Sequence, residues 1–455
     1  MKPSDQRIEI RFPSAEVEAA CLTVCRLSRD SGGRALLVGG CARDAVRGAT
    51  VRDLDIEVFG IAPEALEGAL SRQLHLHQVG RAFEVLKLSG LPIDVSVPRR
   101  EGEWDPEARP EEAAARRDFT LNSMAFDPLT GALIDPFDGL QDLIRGVLRH
   151  TSDRFGDDPL RVLRAMQLVA RFELTVAPET LAECQRLRGA SLVRERVFEE
   201  WRKLITQGVR PSLGLAFLRE CGWVADLPEL EALIGCPQDP EWHPEGDVWI
   251  HTLYCMDAFA AERVGEARED LIVGLAVLCH DLGKPSTTER KGGRVMSHRH
   301  ERVGEELTRH FLSRMTDERD LVEAVIPLVG AHLAPAMLYR DRASDAAVRR
   351  LARRVGRIDR LVRVARADMH GRPPLPADEF PAGQWLLERA QSLNVSDSGP
   401  APVVRGRDLL ELGLEPGPEL GAILDVCFEA QIEGRFADLE GGLVVAREEI
   451  ARRKQ

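Results

Sequence analysis

Residues 35–60 read ALLVGGCARDAVRGATVRDLDIEVFG, and the rest of the chain is organised around them. The apolar run 35–38 predicts a short strand ending in Gly39-Gly40, and Cys41, Ala42, Ala45 and Val46 predict a helix directly after it. A turn over 48–51 leads into a second strand over 53–59. Strand side chains alternate, so Asp53 and Asp55 share one side while Leu54 and Ile56 take the other. Two carboxylates held this close repel unless a hard cation joins them. Mg²⁺, which takes oxygen ligands and bridges to phosphates, is the expected ion. The Gly-Gly turn sets bare backbone N–H groups beside a helix N-terminus, an anion seat. Arg43 adds a guanidinium fork suited to phosphate oxygens. A glycine pair alone is a weak signal; joined to Arg43, Asp44, Asp53 and Asp55 at these spacings it predicts a metal pair beside a phosphate seat.

With 455 residues the chain has material for roughly two to four domains. Its abundance of Leu, Ala, Arg and Glu favours helix. A formal charge of −13 excludes indiscriminate electrostatic binding of nucleic acid, although a local basic face remains compatible with RNA. The nine cysteines are scattered, odd in number and without a CxxC pair, which predicts reduced thiols in a cytoplasmic protein. The N-terminus is polar and apolar runs are expected to stay below membrane-spanning length, so no membrane partner is predicted.

The run Gly39-Gly40-Cys41-Ala42-Arg43-Asp44 followed by Asp53-Leu54-Asp55 resembles the head of the class II tRNA nucleotidyltransferase (CCA-adding enzyme) and bacterial poly(A) polymerase family. That family belongs to the DNA polymerase β superfamily. The resemblance implies an α+β protein: a polymerase β-like nucleotidyltransferase head, a mixed sheet with helices, then an all-helical neck, body, second catalytic domain and tail. It also implies Asp53 and Asp55 as the catalytic Mg²⁺ ligands, with Gly39, Gly40 and Arg43 on the nucleotide.

Further along, helices are expected over 15–28 and 63–74, and strands over 75–80, 85–89 and 93–98. Asp94, in the last of these, reads equally as a third carboxylate or a surface charge. After a Pro/Glu/Ala-rich stretch, Arg116-Arg117-Asp118-Phe119-Thr120-Leu121-Asn122 resembles the family's second motif. There Arg117, Asp118 and Asn122 would hold sugar and triphosphate: Asn supplies donor and acceptor to a ribose hydroxyl, Arg meets phosphate. Asp135-Pro136-Phe137-Asp138-Gly139 resembles the third motif, a turn linking head to neck.

From Asp157 the pattern is helical, and Asp158 and Arg161, three apart, are expected on one face. A carboxylate accepts from the exocyclic amine of cytosine or adenine and repels the carbonyl of uracil or guanine; a guanidinium donates to ring acceptors. The same pair can also close an i,i+3 salt bridge at a helix start; its match to the family's nucleotide-recognition motif favours base reading. Arg164 lies one turn on, behind the pair. Glu195-Arg196-Val197-Phe198-Glu199 resembles a neck helix that braces the base-reading helix, a scaffold role.

A second constellation is built on histidine. His251 opens a helix, the apolar run 271–279 ends in His280-Asp281-Leu282-Gly283-Lys284, and His298, His300, His332 and Asp368 follow. Buried imidazoles need partners, so this set is hard to explain as core packing. It resembles the HD phosphohydrolase superfamily, which implies His251, His280, Asp281 and Asp368 as first metal ligands, with His300 and His332 completing a second site. Mixed imidazole and carboxylate donors suit a transition metal, Ni²⁺, Mn²⁺, Co²⁺ or Zn²⁺. The implied reactions are 2′-nucleotidase, phosphatase and 2′,3′-cyclic phosphodiesterase activity on RNA ends. His243 and His298 read as peripheral. Residues 349–366 carry eight arginines around an apolar stripe, a candidate RNA-tracking face or simply a solvated helix surface.

The expected division is a head over 1–150, neck 151–208, body 209–245, HD domain 246–375, and linker and tail 376–455. The expected function is extension of tRNA 3′ ends with CTP and ATP by two-metal phosphoryl transfer; the sequence leaves the oligomeric state open. Only fourteen residues lie between Glu101 and Arg116, without a Gly-rich segment; the resemblance implies a longer flexible loop here in members that complete CCA, so CC addition alone stays open beside CCA addition. Poly(A) synthesis by the same motifs, and an HD phosphodiesterase with an RNA-binding head, are the alternatives.

Overall fold

The computed structural model describes residues 10–79, 85–100, 103–376 and 379–453, so Glu101, where the short loop was counted from, lies outside the described residues. Two compact units divide the chain, Met1–Leu192 and Val193–Gln455.

In the first unit α1 (Ala15–Asp30) starts at Ser14, whose side chain accepts from the Val17 N–H, and buries Val17, Cys21 and Val24. The organising module follows as β1 (Arg34–Val38), α2 (Gly40–Val46) and β2 (Leu54–Phe59). The two strands are antiparallel neighbours with Leu37 opposite Ile56. The end of β1 therefore meets the start of β2, and the Gly-Gly turn lands beside the aspartates. Gly39 has φ 70, a backbone region that costs a side-chain-bearing residue dearly. Next come α3 (Pro63–Leu70), β3 (Leu76–Val79), β4 (Val85–Leu88) and β5 (Ile93–Ser96). The minute hairpin β6 (Arg99–Arg100) and β7 (Glu103–Trp104) precedes α4 (Pro110–Ala114) and α5 (Thr120–Ser123). Finally β8 (Ala125–Asp127) and β9 (Ala132–Ile134) complete a sheet of order β3-β4-β5-β2-β1-β8-β9. It is mixed: β2 and β5 run parallel, and the other neighbours run antiparallel. Leu37, Ile56, Val58 and Val95 of the sheet and Val24 of α1 share one buried cluster.

The Asp135 motif proves to be a helix start. Asp135 accepts from the Gly139 and Leu140 N–H groups (2.7 and 2.9 Å) at the head of α6 (Gly139–Arg145). The expected helix at Asp157 begins later, as α7 (Arg161–Phe172) behind a 3-10 turn over Asp153–Asp157. Pro159 excludes the helical conformation from Asp158, which is extended (φ −136, ψ 98). Asp158 and Arg161 thus do not share a helix face; Asp158 precedes the helix and accepts from the Leu160 N–H (3.2 Å). The unit closes with α8 (Pro178–Arg186).

The second unit is helical apart from a hairpin, Thr288–Lys291 with Arg294–Ser297, whose turn residues Gly292 and Gly293 both have positive φ. Its first helices are α9 (Arg194–Gln207), α10 (Pro211–Glu220) and α11 (Pro228–Glu231). Arg194 and Arg202 of α9 pair with Asp317 and Glu318. The centre is built from α12 (Val248–Ala261), α13 (Ala267–Cys279), the short α14 (Lys284–Thr287), α15 (His300–Ser313) and α16 (Arg319–Val329). It continues with α17 (Ala334–Arg340), α18 (Asp345–Val355), α19 (Ile358–His370) and α20 (Pro381–Ser392). The last helices, α21 (Gly406–Glu411), α22 (Pro418–Ile432) and α23 (Leu439–Arg453), share a small apolar core around Leu409, Ile423 and Cys427.

Two expectations are corrected here. Among the described residues one helical stretch, Arg319–Arg340, is long and apolar enough to span a membrane by length and composition; half of its most apolar window is buried in this unit, with Leu321, Val325, Leu328 and Val329 in the core. The arginine run does not form a free cationic face. Arg350 and Arg353 pair with Glu429, Arg354 with Glu305, Arg357 with Asp359 and Arg360 with Glu269. Arg363 pairs with Asp270, Arg366 with Glu262, and Arg349 donates to the Ile432 carbonyl. Apart from Asp359, the acidic partners come from elements distant in sequence, so most of the charge balance is invisible in the run itself.

Candidate functional site

The first site lies on the sheet of unit one. Leu54 and Ile56 are buried while Asp53 and Asp55 are exposed, the alternation expected of this strand. Asp94 of β5 stands in register beside Asp55, and Lys87 lies 2.6 Å from its carboxylate. Three carboxylates therefore crowd one patch, and Asp94 joins the pair that the strand pattern alone identified. Enclosure by the neighbouring strands pushes the Asp55 carboxyl up, Arg117 opposes this, and Asp94 and Asp53 add to it. Unfavourable ionisation of clustered acids is relieved by a divalent cation, so this donor set fits Mg²⁺.

Arg117 faces this patch, and a polar chain links Arg43 of α2 to Arg164 of α7. Arg117 is held by Glu57 of β2 (3.0 Å), and its guanidinium lies 3.1 Å from where a Gly39 Cβ would stand. Gly39 is thus glycine for two reasons, its φ and this close approach. Arg43 is buried; its Nη1 donates to Asn122 Oδ1 (2.7 Å), and its guanidinium stacks 4.5 Å from the Phe172 ring centre. Asn122 Nδ2 donates to Asp118 Oδ1 (3.0 Å), and Arg164 Nη1 donates to Asp118 Oδ2 (2.9 Å). Arg164, expected to pack behind the base-reading pair, instead fixes Asp118. Arg161 donates to the carbonyls of Arg154 and Arg116, both at 2.6 Å, which anchors its guanidinium at the start of α7. Gly40 opens α2 within the same arrangement, where its Cβ would meet the Arg43 guanidinium at 3.4 Å. Of the nucleotide-site residues read from the sequence, Arg43, Asn122, Asp118 and Arg164 are joined by direct hydrogen bonds. Glu57 was missed; nothing in its strand position signals that an arginine sixty residues later will seek it.

The second site is a nest of imidazoles in unit two. His251, His280, His300 and His332 are all buried. His280, His300 and His332 each donate Nδ1–H to a main-chain carbonyl, of Val277, Ser297 and Val329 (2.7, 2.8 and 2.7 Å). That fixes the tautomer and leaves each Nε2 as a lone pair facing the cluster. Nε2 atoms of His300 and His332 are 3.3 Å apart, and those of His280 and His251 are 3.4 Å apart. Burial, reinforced by His280, pushes His332 down to about 3, so it is neutral.

Asp281 stands between the two halves, Oδ2 3.2 Å from His280 Nε2 and Oδ1 3.3 Å from His300 Nε2. Neither of its buried oxygens has a well-aligned hydrogen bond, although Lys284 Nζ is 2.7 Å away. Asp368 lies 3.1 Å from His251 Nε2. Facing lone pairs and an unsatisfied buried carboxylate are mutually unfavourable without a cation, and this donor set fits transition-metal ions. His251, Cys255, His280 and Asp368 form one potential ligand group and Asp281, His300 and His332 another. Asp281 Oδ2 also lies 3.2 Å from His280 Nε2, so Asp281 stands within reach of both groups.

Two neighbours escaped the sequence reading. Buried Glu245 places Oε1 2.7 Å from His251 Nδ1 and 2.9 Å from His243 Nδ1. His243 is not peripheral: its ring centre is 4.7 Å from that of His251. His298 remains exposed. Gly283, in the motif after His280, is required by close approach, since a Cβ there would lie 2.0 Å from the His300 carbonyl oxygen. Gly283→Ala is expected to destabilise this unit by about 3 kcal/mol while displacing His300. Urea denaturation should show an earlier midpoint; an unchanged midpoint would refute the packing argument.

Known proteins are similar to both the head and the histidine-bearing domain. Residues 35–149 match the Poly A polymerase head domain family and residues 248–366 the HD domain family. The multifunctional CCA protein of Laribacter hongkongensis (strain HLHK9) is 34% identical over 385 residues, 79% of this chain and 91% of that protein. That of Alkalilimnicola ehrlichii is 34% identical over 375 residues, 77% of this chain and 87% of that protein. In fold, the chain is similar to the Bacillus stearothermophilus CCA-adding enzyme in complex with CTP (TM-score 0.68, 22% identity, covering 97% of this chain and 100% of that one). It is also similar to the Thermotoga maritima CCA-adding enzyme complexed with tRNA (TM-score 0.58, 18% identity, 96% of each chain).

Proposed function

The chain belongs to the family of the multifunctional CCA proteins, and from that premise we propose that it adds C and A residues to tRNA 3′ ends, using CTP and ATP. The observation that carries this reading is the carboxylate patch, where Arg117 acts on Asp55 beside Asp53 and Asp94, taken together with the polar chain Arg43–Asn122–Asp118–Arg164.

Asp53 and Asp55, with Asp94 beside them, would hold Mg²⁺, which supplies charge neutralisation at the α-phosphate and lowers the pKa of the RNA 3′-hydroxyl. The reaction is in-line displacement: the 3′-oxygen bonds to the α-phosphorus, the bond to the β-phosphate oxygen breaks, and pyrophosphate leaves. Arg117 and Arg43, each held by a carboxylate or amide, meet the triphosphate from fixed positions. Gly39 and Gly40 admit phosphate oxygens to the backbone, and Asn122 and Asp118 orient the sugar. Asp158, just ahead of α7, accepts from the exocyclic amine shared by cytosine and adenine, and Arg161 donates to a ring acceptor.

The short segment before Arg116 leaves arrest at CC open, whereas the relatives at 34% identity bear the name of multifunctional CCA proteins and support the complete triplet. Incubation of tRNA lacking CCA with CTP and ATP is expected to give ends in CCA. Ends in CC would reinstate the short-loop argument, and long tails from ATP alone on unrelated RNA would assign poly(A) synthesis instead.

For the second site we propose hydrolysis of phosphoesters at RNA ends, with His251, His280 and Asp368 holding one transition metal and Asp281, His300 and His332 another. A metal there supplies activated water; Glu245 fixes the His251 ring, and Lys284 lies beside Asp281 with its charge toward the cavity. Head, neck, body, HD domain and tail remain the proposed division of the chain. A cytoplasmic setting is supported by nine cysteines that are all free and buried.

A further inference from the structure

The histidine nest opens into a cavity of about 250 Å³ whose wall includes Trp242. This tryptophan is 58% exposed, the most exposed of the chain's large aromatic side chains among the described residues. An isolated exposed apolar residue needs no explanation, but one lining a metal-type cavity does. Its backbone is firmly held: the Trp242 and His243 N–H groups donate to the Asp239 carbonyl (3.1 and 2.9 Å), and the Glu241 N–H donates to Asp239 Oδ1 (3.1 Å). Gln238, from the same loop, accepts from Lys284 Nζ (2.7 Å) and donates to the Gly246 carbonyl (3.3 Å). On the other flank Glu245 holds His243. The indole is thus offered from a pre-organised turn, with little ordering left to be done when a flat ligand arrives. The same wall carries two cations, Lys284 and Arg372. An aromatic face, a pair of cations and a metal-type donor set in one cavity match the three parts of a nucleotide: base, phosphate and scissile ester.

We propose that Trp242 is a base-stacking residue of this cavity, so that its preferred substrates are phosphoesters carrying a nucleobase, as at an RNA terminus, rather than phosphoesters in general. The proposal rests on the reading of the histidine nest as a phosphoester hydrolase. Stacking on an indole accepts any base, because every base has a π-face, so discrimination is between nucleotide and baseless ester and not among bases. In this role Trp242 sets affinity and leaves turnover alone.

The test compares full-length Ni²⁺-loaded wild type, Trp242→Ala and Trp242→Phe on 2′,3′-cyclic AMP and on glycerol 1,2-cyclic phosphate. Trp242→Ala is expected to raise KM for the cyclic nucleotide about tenfold or more, with kcat within about twofold, and to leave the glycerol ester unaffected. Trp242→Phe should recover most of the affinity. As a readout independent of turnover, 2′-AMP should quench tryptophan emission of the metal-free wild type saturably, and the wild-type-minus-Trp242→Ala difference should carry that quench. Equal losses on both esters, or no loss on either, overturn the stacking role alone. Hydrolysis of neither ester by wild type overturns the reading beneath it, and the proposal with it.

Discussion

Asp55→Ala is expected to lower incorporation of CMP and AMP into tRNA by at least about a thousandfold, while 2′,3′-cyclic phosphodiesterase activity stays near wild type. Loss of a ligand removes several kcal/mol of charge stabilisation from the transition state, and each ~1.4 kcal/mol is tenfold in rate. Single-turnover extension of tRNA lacking CCA is the direct measurement; full incorporation by the variant would abolish the assignment of the metal patch. The electrostatics give a second readout. Because enclosure and the flanking Asp94 and Asp53 push the Asp55 carboxyl up against the pull of Arg117, protons compete with the cation at higher pH than for an ordinary aspartate. At limiting Mg²⁺, incorporation should therefore fall as pH drops, and added Mg²⁺ should move that fall to lower pH. In the metal-free protein the sign reverses. A carboxyl with a raised folded pKa binds its proton more tightly in the fold, so its contribution to stability is lost as pH rises through that pKa. Asp55→Asn should accordingly raise the melting temperature of the metal-free protein at neutral pH, which a purely structural aspartate would not do.

His280→Ala should do the converse: about a thousandfold loss of cyclic phosphodiesterase activity, with CCA addition within about twofold of wild type. His280 Nε2 faces both His251 Nε2 (3.4 Å) and Asp281 Oδ2 (3.2 Å), so its removal takes a donor from the centre of the nest. Bound Ni²⁺ measured by elemental analysis should fall in parallel. Retention of both metal and hydrolysis would show that the nest is not the hydrolytic centre. Together the two variants separate the sites, because each is built within its own unit of the chain.

The strand–turn–helix–strand over 35–60 was legible because its signals are local: an apolar run, two glycines and a period-2 alternation that sends Asp53 and Asp55 to one side. The histidines were legible by residue type, since several buried imidazoles need partners that a plain apolar core does not provide. The placement of Asp158 on a helix face was misread because the carboxylate sits just before Pro159, and the proline keeps it out of the helix that the downstream periodicity suggested. The arginine run was overread because counting one sign of charge ignores Glu429, Glu269, Asp270 and Glu262, which meet it only after folding.

By itself, then, the sequence determined the chemistry on offer: which side chains can grip a divalent ion, which can meet phosphate, and the backbone turns that let them approach. Tertiary structure decided how those groups are used. It set Asp94 beside Asp55, made Glu57 the partner of Arg117, passed Arg43 through Asn122 to Asp118, and put Asp281 within reach of two potential ligand groups. The reason is range. Periodicity and turn chemistry act over a few residues, whereas carboxylates, guanidiniums and imidazoles act over a few ångströms between residues that only the completed fold brings together.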